Sequence, residues 1–200
     1  MKGVKLKETR SVEVPNWFTS TPALENFSKY LQPFKGQPDL QFLQLGAYTG
    51  DASVWLLDNI LTDKTSHLTD VDTWSGSDED EHHKLDFKDV EAAYDYKTKG
   101  YKNFTKFKGT TIEWLKAAPL DYYDFIYVDA DHTAPSVLID AELSFLSLKS
   151  GGILAFDDYE WNAGKGEAFN PKPGVNTFLH RHKPNVHILD VGWQLWLVKT

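Results

Sequence analysis

The chain has 200 residues, a formal net charge of −8 and no cysteine. The lack of cysteine excludes disulfides, thiolate metal ligands and cysteine nucleophiles. The acidic balance disfavours a nucleic acid partner, because affinity for the phosphate backbone comes mainly from Lys and Arg. No apolar run approaches the ~20 residues of a membrane helix, and Met1–Pro15 is polar, unlike a signal peptide. We therefore expect a folded cytoplasmic protein that does not enter membranes.

Apolar runs of strand length alternate with segments of helical spacing from residue 40 onward. The predicted strands are Leu40–Leu45, His67–Asp72, Asn103–Lys108, Phe125–Asp129 and Gly152–Phe156. The predicted helices carry Val54, Leu57 and Leu61 on one face, cover Asp86–Lys99 and Ile112–Ala118, and then carry Leu138, Ala141, Phe145 and Leu148. Ser150–Gly152 is expected to stop the last helix. The alternation predicts an α/β fold of the Rossmann-like type, a parallel sheet between two helix layers.

The C-terminal part departs from this alternation. Val186–Val191 and Trp193–Lys199 are strand-like runs separated only by Gly192. So short a link cannot form a parallel crossover, which needs a dozen residues or more, so the pair is predicted to be antiparallel. Trp193 and Trp196 are expected either in the core or in an interface of a homo-oligomer.

Three further segments flank this framework. Residues 1–35 are predicted to form an N-terminal arm with a helix over Pro22–Leu31, which could act as a lid, and residues 36–200 form the main domain. Residues 73–85 and 159–173 look like inserts. Both inserts follow strand ends, where open α/β sheets carry their binding sites.

A glycine loop, Gly46-Ala47-Tyr48-Thr49-Gly50, follows the first strand. Glycine lets a backbone approach a ligand closely, and the following helix presents N–H groups. The loop lacks the full G-x-G-x-x-G dinucleotide pattern, and a tight turn without a ligand is the alternative. Asp72 lies near the distance after the loop at which an acid meets ribose hydroxyls, with Asp70 as its rival. Trp74 is expected either to cover an adenine face or to pack in the interior.

These motifs resemble those of catechol O-methyltransferase-like enzymes and the methyltransferase 24 family. The resemblance rests on Leu45–Gly50, Val71–Trp74, Lys108–Thr111, Asp124–His132 and Gly151–Tyr159, and it runs from about Leu40 to the C-terminus. It implies a seven-stranded sheet with an antiparallel last strand and S-adenosylmethionine as methyl donor. It also implies that the glycine loop lines the methionine end, Asp72 holds the ribose, and Thr111 with Ile112 borders the adenine. Gln44 and Asp51 depart from the family pattern, which leaves the contact with the cofactor amine open. The predicted cofactor set is Gly46, Ala47, Tyr48, Thr49, Gly50, Ser53, Asp72, Thr73, Trp74, Thr111, Ile112 and Asp129.

Three acids, Asp129, Asp157 and Asp158, end neighbouring predicted strands. Carboxylates that converge repel one another unless a proton or a cation joins them, and oxygen ligands suit Mg²⁺ or another hard divalent cation. In the resembling O-methyltransferases the matching positions hold a divalent metal that gathers substrate hydroxyls. The alternative is that Asp157 and Asp158 cap a loop and Asp129 binds only the cofactor.

The general base is sought just beyond the fourth strand. Asp131 and His132 follow Asp129, and imidazole commonly accepts protons near neutral pH. His82 and His83, in the first insert, are further candidates for contact with substrate. The predicted catalytic residues are Asp129, His132 and Asp131.

The expected reaction is O-methylation of a small hydroxylated acceptor, a sugar or a phenol, assisted by a divalent metal. The alternatives are a metal-independent small-molecule methyltransferase, a nicotinamide-dependent oxidoreductase, and a non-catalytic binding module on the same fold. A DNA amino-methyltransferase is disfavoured because Asp129-Ala130-Asp131-His132 stands where such enzymes carry an Asn/Asp-Pro-Pro-aromatic run.

Overall fold

The computed structural model describes residues 14–77 and 82–200. They form an alternating α/β chain, as predicted. The strands are β1 Gln41–Leu45, β2 His67–Asp72, β3 Phe104–Lys108, β4 Tyr123–Val128, β5 Leu148–Phe156, β6 Val186–Val191 and β7 Leu195–Lys199. The α-helices are α1 Trp17–Ser20, α2 Ala23–Tyr30, α3 Asp51–Asn59, α4 Phe87–Thr98, α5 Thr111–Leu115, α6 Ala134–Ser147 and α7 Pro171–His182.

The strands form one sheet in the order β3-β2-β1-β4-β5-β7-β6. The first five strands pair in parallel, while β7 is antiparallel to both β5 and β6. This confirms the Rossmann-like, mostly parallel seven-stranded sheet with an antiparallel C-terminal strand. The chain order reverses between β1 and β4, and open α/β sheets bind ligands outside the strand ends at such a point.

The prediction that Ser150–Gly152 stops a helix was wrong. Helix α6 ends at Ser147, and β5 begins at Leu148, ahead of the glycine pair. Leu148 pairs with Tyr123, and the register then shifts before Ile153 pairs with Phe125. Two glycines fit that irregular stretch of strand, because they weaken a strand interior without ending it.

Helix α7 was not predicted, although Pro171 stands at its first position, which is a helix-start signal. The insert predicted over residues 159–173 overlaps the first turn of this helix. A Cβ at Gly174 would overlap the Ala134 carbonyl oxygen, so this glycine allows the close approach of α7 to α6.

The helix predicted over Pro22–Leu31 is α2, and it packs into the core of the sheet. Phe27 is fully buried, and its ring meets the rings of Phe125, Tyr127 and Trp196 edge-on. Trp196 is therefore core, whereas Trp193 is 36% exposed. The division at residue 35 and the lid role stay predictions. No helix in the described ranges is long and apolar enough to cross a membrane.

Candidate active site

A cavity of about 570 Å³ opens at the carboxyl ends of the parallel strands. Its walls come from the loops after β1, β2, β3, β4 and β5, together with Trp17 and Thr21 of the N-terminal segment. Of the lining residues that the structure describes, six are acidic and none is Lys or Arg; the six are Asp72, Asp129, Asp131, Asp140, Asp157 and Asp158. The cavity therefore carries a negative field that suits a cationic ligand.

Three residues of the glycine loop have left-handed backbone conformations. Gly46, Tyr48 and Gly50 have φ angles of 87°, 46° and 77°. A Cβ at Gly46 would overlap the Asp129 carbonyl oxygen, so glycine is required there by the close approach of two strand ends. Tyr48 lines the cavity, and its hydroxyl is buried without a hydrogen-bond partner in the described chain. A buried hydroxyl of this kind is a polar atom that a ligand would satisfy.

Asp72 holds this loop in place, a role that the sequence did not reveal. Its Oδ2 accepts from the backbone N–H groups of Ala47 and Tyr48 at 2.8 and 2.9 Å, and its Oδ1 accepts from Trp74 N at 2.6 Å. The N–H groups of Ala47 and Tyr48 thus face this carboxylate and not the cavity. Asp72 also lines the cavity, and a carboxylate has capacity for further donors such as ribose hydroxyls.

Asp70, the rival of Asp72, is fully buried and does not belong to the cavity lining. Tyr94 donates to its Oδ2 at 2.7 Å, and burial raises the pKa of Asp70 to about 7. It belongs to a buried polar group beneath the loop.

The adenine side predicted at Thr111 and Ile112 also lies on the cavity wall. These residues open α5, where Thr110 and Glu113 form a capping box. Thr111 donates through Oγ1 to Asp140 Oδ1 at 2.6 Å. Asp140 lies on α6 and was not predicted as a site residue.

Asp129, His132 and Asp158 converge at the ends of β4 and β5. His132 Nε2 lies 3.3 Å from Asp158 Oδ2 and 3.7 Å from Asp129 Oδ1. One ligand atom from each of the three lies within 4.8 Å of the others, a spacing that suits a shared cation. Burial and the neighbouring Asp157 carboxylate raise the pKa of Asp129 well above its ordinary value. Asp158 has a φ of 52°, an uncommon conformation of the kind that clusters at functional sites.

The match to a family model comes from the same segment of the chain. Residues 43–159, more than half of the chain, match the family described as a methyltransferase domain. The chain belongs to the methyltransferase 24 family. The resemblance seen in the motifs is confirmed, as is the assignment to S-adenosylmethionine-dependent methyltransferases. No curated protein matches the sequence significantly.

Solved structures share the fold of this methyltransferase at low identity. The O-methyltransferase NovP matches with a TM-score of 0.66 and 15% identity, covering 88% of this chain and 79% of that one. A Clostridium thermocellum protein assigned as an rRNA methylase has a TM-score of 0.65 and 12% identity, covering 88% and 94%. A Corynebacterium glutamicum protein has a TM-score of 0.62 and 13% identity, covering 94% and 82%. Such likeness shows the fold, and substrates must be argued from the site.

Asp157, which was predicted to be a metal ligand, is held by hydrogen bonds within the protein. It lines the cavity, but Tyr127 donates to its Oδ2, and Gln194 and the Asp158 N–H donate to its Oδ1 at 3.0 and 2.9 Å. The group within cation-binding distance contains His132 instead. The sequence alone could not predict the hydrogen bonds of Asp157, because the pairing of β4, β5 and β7 is what brings Tyr127 and Gln194 to it.

The predicted cofactor residues divide into two groups. Gly46, Tyr48, Asp72, Thr73, Thr111, Ile112 and Asp129 line the cavity, whereas Ala47, Thr49, Gly50, Ser53 and Trp74 do not. Ala47, Thr49, Gly50 and Ser53 are buried in the loop and the first turns of α3. Trp74 is 4% exposed, packs on Tyr94, and donates through Nε1 to the Tyr48 carbonyl. The adenine-covering alternative for Trp74 was therefore wrong, because its ring faces the interior.

Asp131, His82 and His83 are the remaining predicted residues, and only the first two line the cavity. Asp131, which caps the turn before α6 by accepting from Thr133 N at 2.7 Å, lines the cavity. His82 also lines it, whereas His83 is exposed elsewhere, and residues 78–81 of the same insert lie outside the described residues. Sequence reasoning missed the aromatic walls, because a single aromatic residue at a helix start or in a loop does not by itself indicate a binding site. These walls are Trp17, Phe87, Trp161 and Trp193.

Proposed function

We propose that this methyltransferase transfers a methyl group to a hydroxyl of a small acceptor held beside a divalent cation. One observation carries the proposal: Asp129, His132 and Asp158 converge in the cavity that the glycine loop also borders. The site thereby combines a place for the methyl donor with a group of atoms that can bind and polarise a hydroxyl.

The donor side suits S-adenosylmethionine in charge. Gly46, Tyr48 and Asp72 would face its methionine and ribose parts, and Thr111 with Ile112 would border the adenine. The unpartnered Tyr48 hydroxyl and the acidic lining support this fit, since the cofactor carries a sulfonium cation. When bound, the cofactor supplies the methyl group for an in-line displacement. The walls of the cavity contribute by holding the two reactants in line.

The acceptor side fits a divalent cation with mixed oxygen and nitrogen ligands. Asp129 and Asp158 would each offer a carboxylate oxygen, and His132 would offer an imidazole nitrogen. When bound, the cation lowers the pKa of an acceptor hydroxyl. Asp157 would stay outside this ligand set, since Tyr127 and Gln194 donate to its carboxylate. In a metal-independent reaction His132 would instead take the hydroxyl proton, with Asp129 and Asp158 orienting it.

The walls of the acceptor side favour a small planar or cyclic molecule. The Trp161 ring lies 5.2 Å from that of His132, and Trp17 and Trp193 line the same cavity. Aromatic faces stack on phenols and on the apolar faces of sugars. A nucleic acid is not expected, since no Lys or Arg lines the described cavity and the chain has a net charge of −8.

Calorimetric titration of Mn²⁺ and Mg²⁺, in the presence of S-adenosylhomocysteine, tests the cation site. We expect Asp129→Asn and Asp158→Asn to weaken cation binding at least tenfold and to lower kcat by roughly 10²-fold or more on an acceptor found in a screen of phenols and sugars. The control is Asp121→Asn, whose carboxylate lies at the surface and pairs with Lys199.

The outcome for His132→Ala separates the two roles of the imidazole. Loss of cation binding assigns His132 as a ligand. Retained cation binding with a changed pH profile of kcat assigns it as the base. Normal turnover in all three variants would contradict the proposed chemistry. Normal turnover of the wild-type protein with a chelator, together with normal turnover of His132→Ala, would contradict it as well.

A further inference from the structure

Asp140 is a carboxylate in an unfavourable place. It lies in the middle of α6 and is 2% exposed, and its neighbours Val137 and Ala141 belong to the apolar core. Burying an ionised carboxylate is costly unless it is hydrogen-bonded or paired. An apolar residue would pack better at this position of α6, so we expect the Asp140 carboxylate to have hydrogen-bond donors.

The protein itself supplies a donor for only one of the two carboxylate oxygens. Thr111 Oγ1 donates to Asp140 Oδ1 at 2.6 Å. Within the described chain, Asp140 takes part in no ion pair, and its Oδ2 accepts no hydrogen bond. Burial raises the pKa of Asp140 to about 6, with Asp131 adding to the rise and Thr111 opposing it. Oδ2 therefore has no donor among the described residues, and a donor can reach it from the cavity that Asp140 lines.

The position of Asp140 indicates where that donor comes from. Asp140 lines the cavity together with Ser136 on the preceding turn of α6, and with Thr111 and Ile112 across from it. Thr111 and Ile112 are the residues proposed to border the adenine ring. Ile112 has no polar side-chain atom, and the Thr111 hydroxyl, which donates to Asp140, is a weaker acceptor for an amine than the carboxylate beside it.

We infer that Asp140 recognises the exocyclic amine of the adenine ring, with Thr111 holding Oδ1 and Oδ2 accepting from the amine. This role rests on the proposed cofactor site and adds a specificity residue to it. An adenine amine is a neutral donor, so it satisfies the carboxylate without bringing a second charge into the cavity. A purine with a carbonyl at the same position would set acceptor against acceptor.

The experiment is a binding comparison that does not depend on turnover. Calorimetry measures the dissociation constants of S-adenosylhomocysteine, its inosine analogue with a carbonyl in place of the amine, and its purine analogue with hydrogen there. For the wild-type protein we expect the adenine ligand to bind about 10²-fold more tightly than the inosine ligand, because sites built for a donor reject analogues that lack it.

Asp140→Asn converts the carboxylate into an amide that can donate to a carbonyl and still accept from Thr111. We expect it to reduce the preference for adenine over inosine at least tenfold. The matched control is Glu142→Gln on the same helix, whose carboxylate faces Arg181 and His182 outside the cavity. This control should leave the preference unchanged.

The outcomes are separable. An unchanged preference in Asp140→Asn, or equal loss of all three ligands, would overturn the inference and assign Asp140 as a structural tie between α5 and α6. If the variant does not fold, a wild-type preference below about threefold against both analogues would overturn it equally. Failure of the wild-type protein to bind S-adenosylhomocysteine at all would overturn the proposed cofactor site as well.

Discussion

The cavity has a cofactor edge at Asp72 and an acceptor edge at Asp129, and the carboxylates at these two edges have different environments. At the cofactor edge, Asp72 accepts three backbone N–H bonds and belongs to a finished local structure. At the acceptor edge, Asp129 lies beside Asp157 and Asp158, and this crowding together with burial raises its pKa. The first edge is organised before any ligand arrives. The second edge brings the carboxylates of Asp129 and Asp158 together around His132.

This difference shows how one row of strand ends can serve two purposes. A carboxylate that receives several N–H donors stabilises a loop and keeps its charge at little cost. Carboxylates that face one another store electrostatic repulsion, which a cation or a proton relieves. Substitutions at the two edges should therefore differ in sign as well as in size.

The largest expected effect is at Gly46, where the two edges meet. Gly46→Ala should lower the free energy of unfolding by about 4 kcal/mol or more, because its Cβ would overlap the Asp129 carbonyl oxygen. Gly151→Ala is the matched control, with a φ of 81° and no atom near the added Cβ. It should cost only the backbone strain of about 1–2 kcal/mol. Urea denaturation measures both, and equal costs would show that the edges are not in tight contact.

The next effect concerns a buried acid on the cofactor side. The pKa of Asp70 is raised to about 7, so its contribution to stability is full below its ordinary pKa and is lost as the pH rises to about 7. Asp70→Asn removes this loss, and its stability at pH 8 should exceed that of the wild type by up to about 4 kcal/mol. Urea midpoints at pH 5 and pH 8 measure the gain. A wild-type protein and a variant with parallel pH profiles would contradict the expectation.

The smallest effect compares the edges directly. In the presence of chelator, Asp72→Asn should lower the free energy of unfolding by about 2 kcal/mol, because it weakens three hydrogen bonds to a charged acceptor. Asp129→Asn should leave it unchanged or raise it by about 1 kcal/mol, because it removes one of the crowded charges. Thermal and urea unfolding measure both. If both variants lowered the free energy of unfolding by similar amounts, the proposed difference between the two edges would be wrong.

Much of this molecule could be predicted from local patterns. Strand and helix periods located all seven strands, and Gly192 alone was enough to predict the antiparallel pair. The boundary between α6 and β5 was predicted wrongly because Gly151 and Gly152 were interpreted as a helix stop, whereas they lie inside β5. A glycine can mark an end of an element or a close approach to a neighbour, and only the neighbour distinguishes the two.

The site was predicted less completely, for the same reason. Strand-end acids are visible along the chain because parallel strands bring their carboxyl ends to one edge. Which acid binds what depends on donors from elsewhere: Tyr127 and Gln194 fix Asp157, backbone N–H groups take up Asp72, and Thr111 reaches Asp140. None of these pairs is close in sequence.

The order of residues along the chain was thus enough to specify the family, the sheet and the positions of Gly46, Asp72 and Asp129. Tertiary structure alone assigned Trp74 to the interior, joined His132 to Asp129 and Asp158, and placed Asp140 on the cavity wall. The physical reason is the distance along the chain over which each kind of interaction acts. Periodicity and turn chemistry act between near neighbours, whereas burial and charge pairing depend on every segment that the fold brings together.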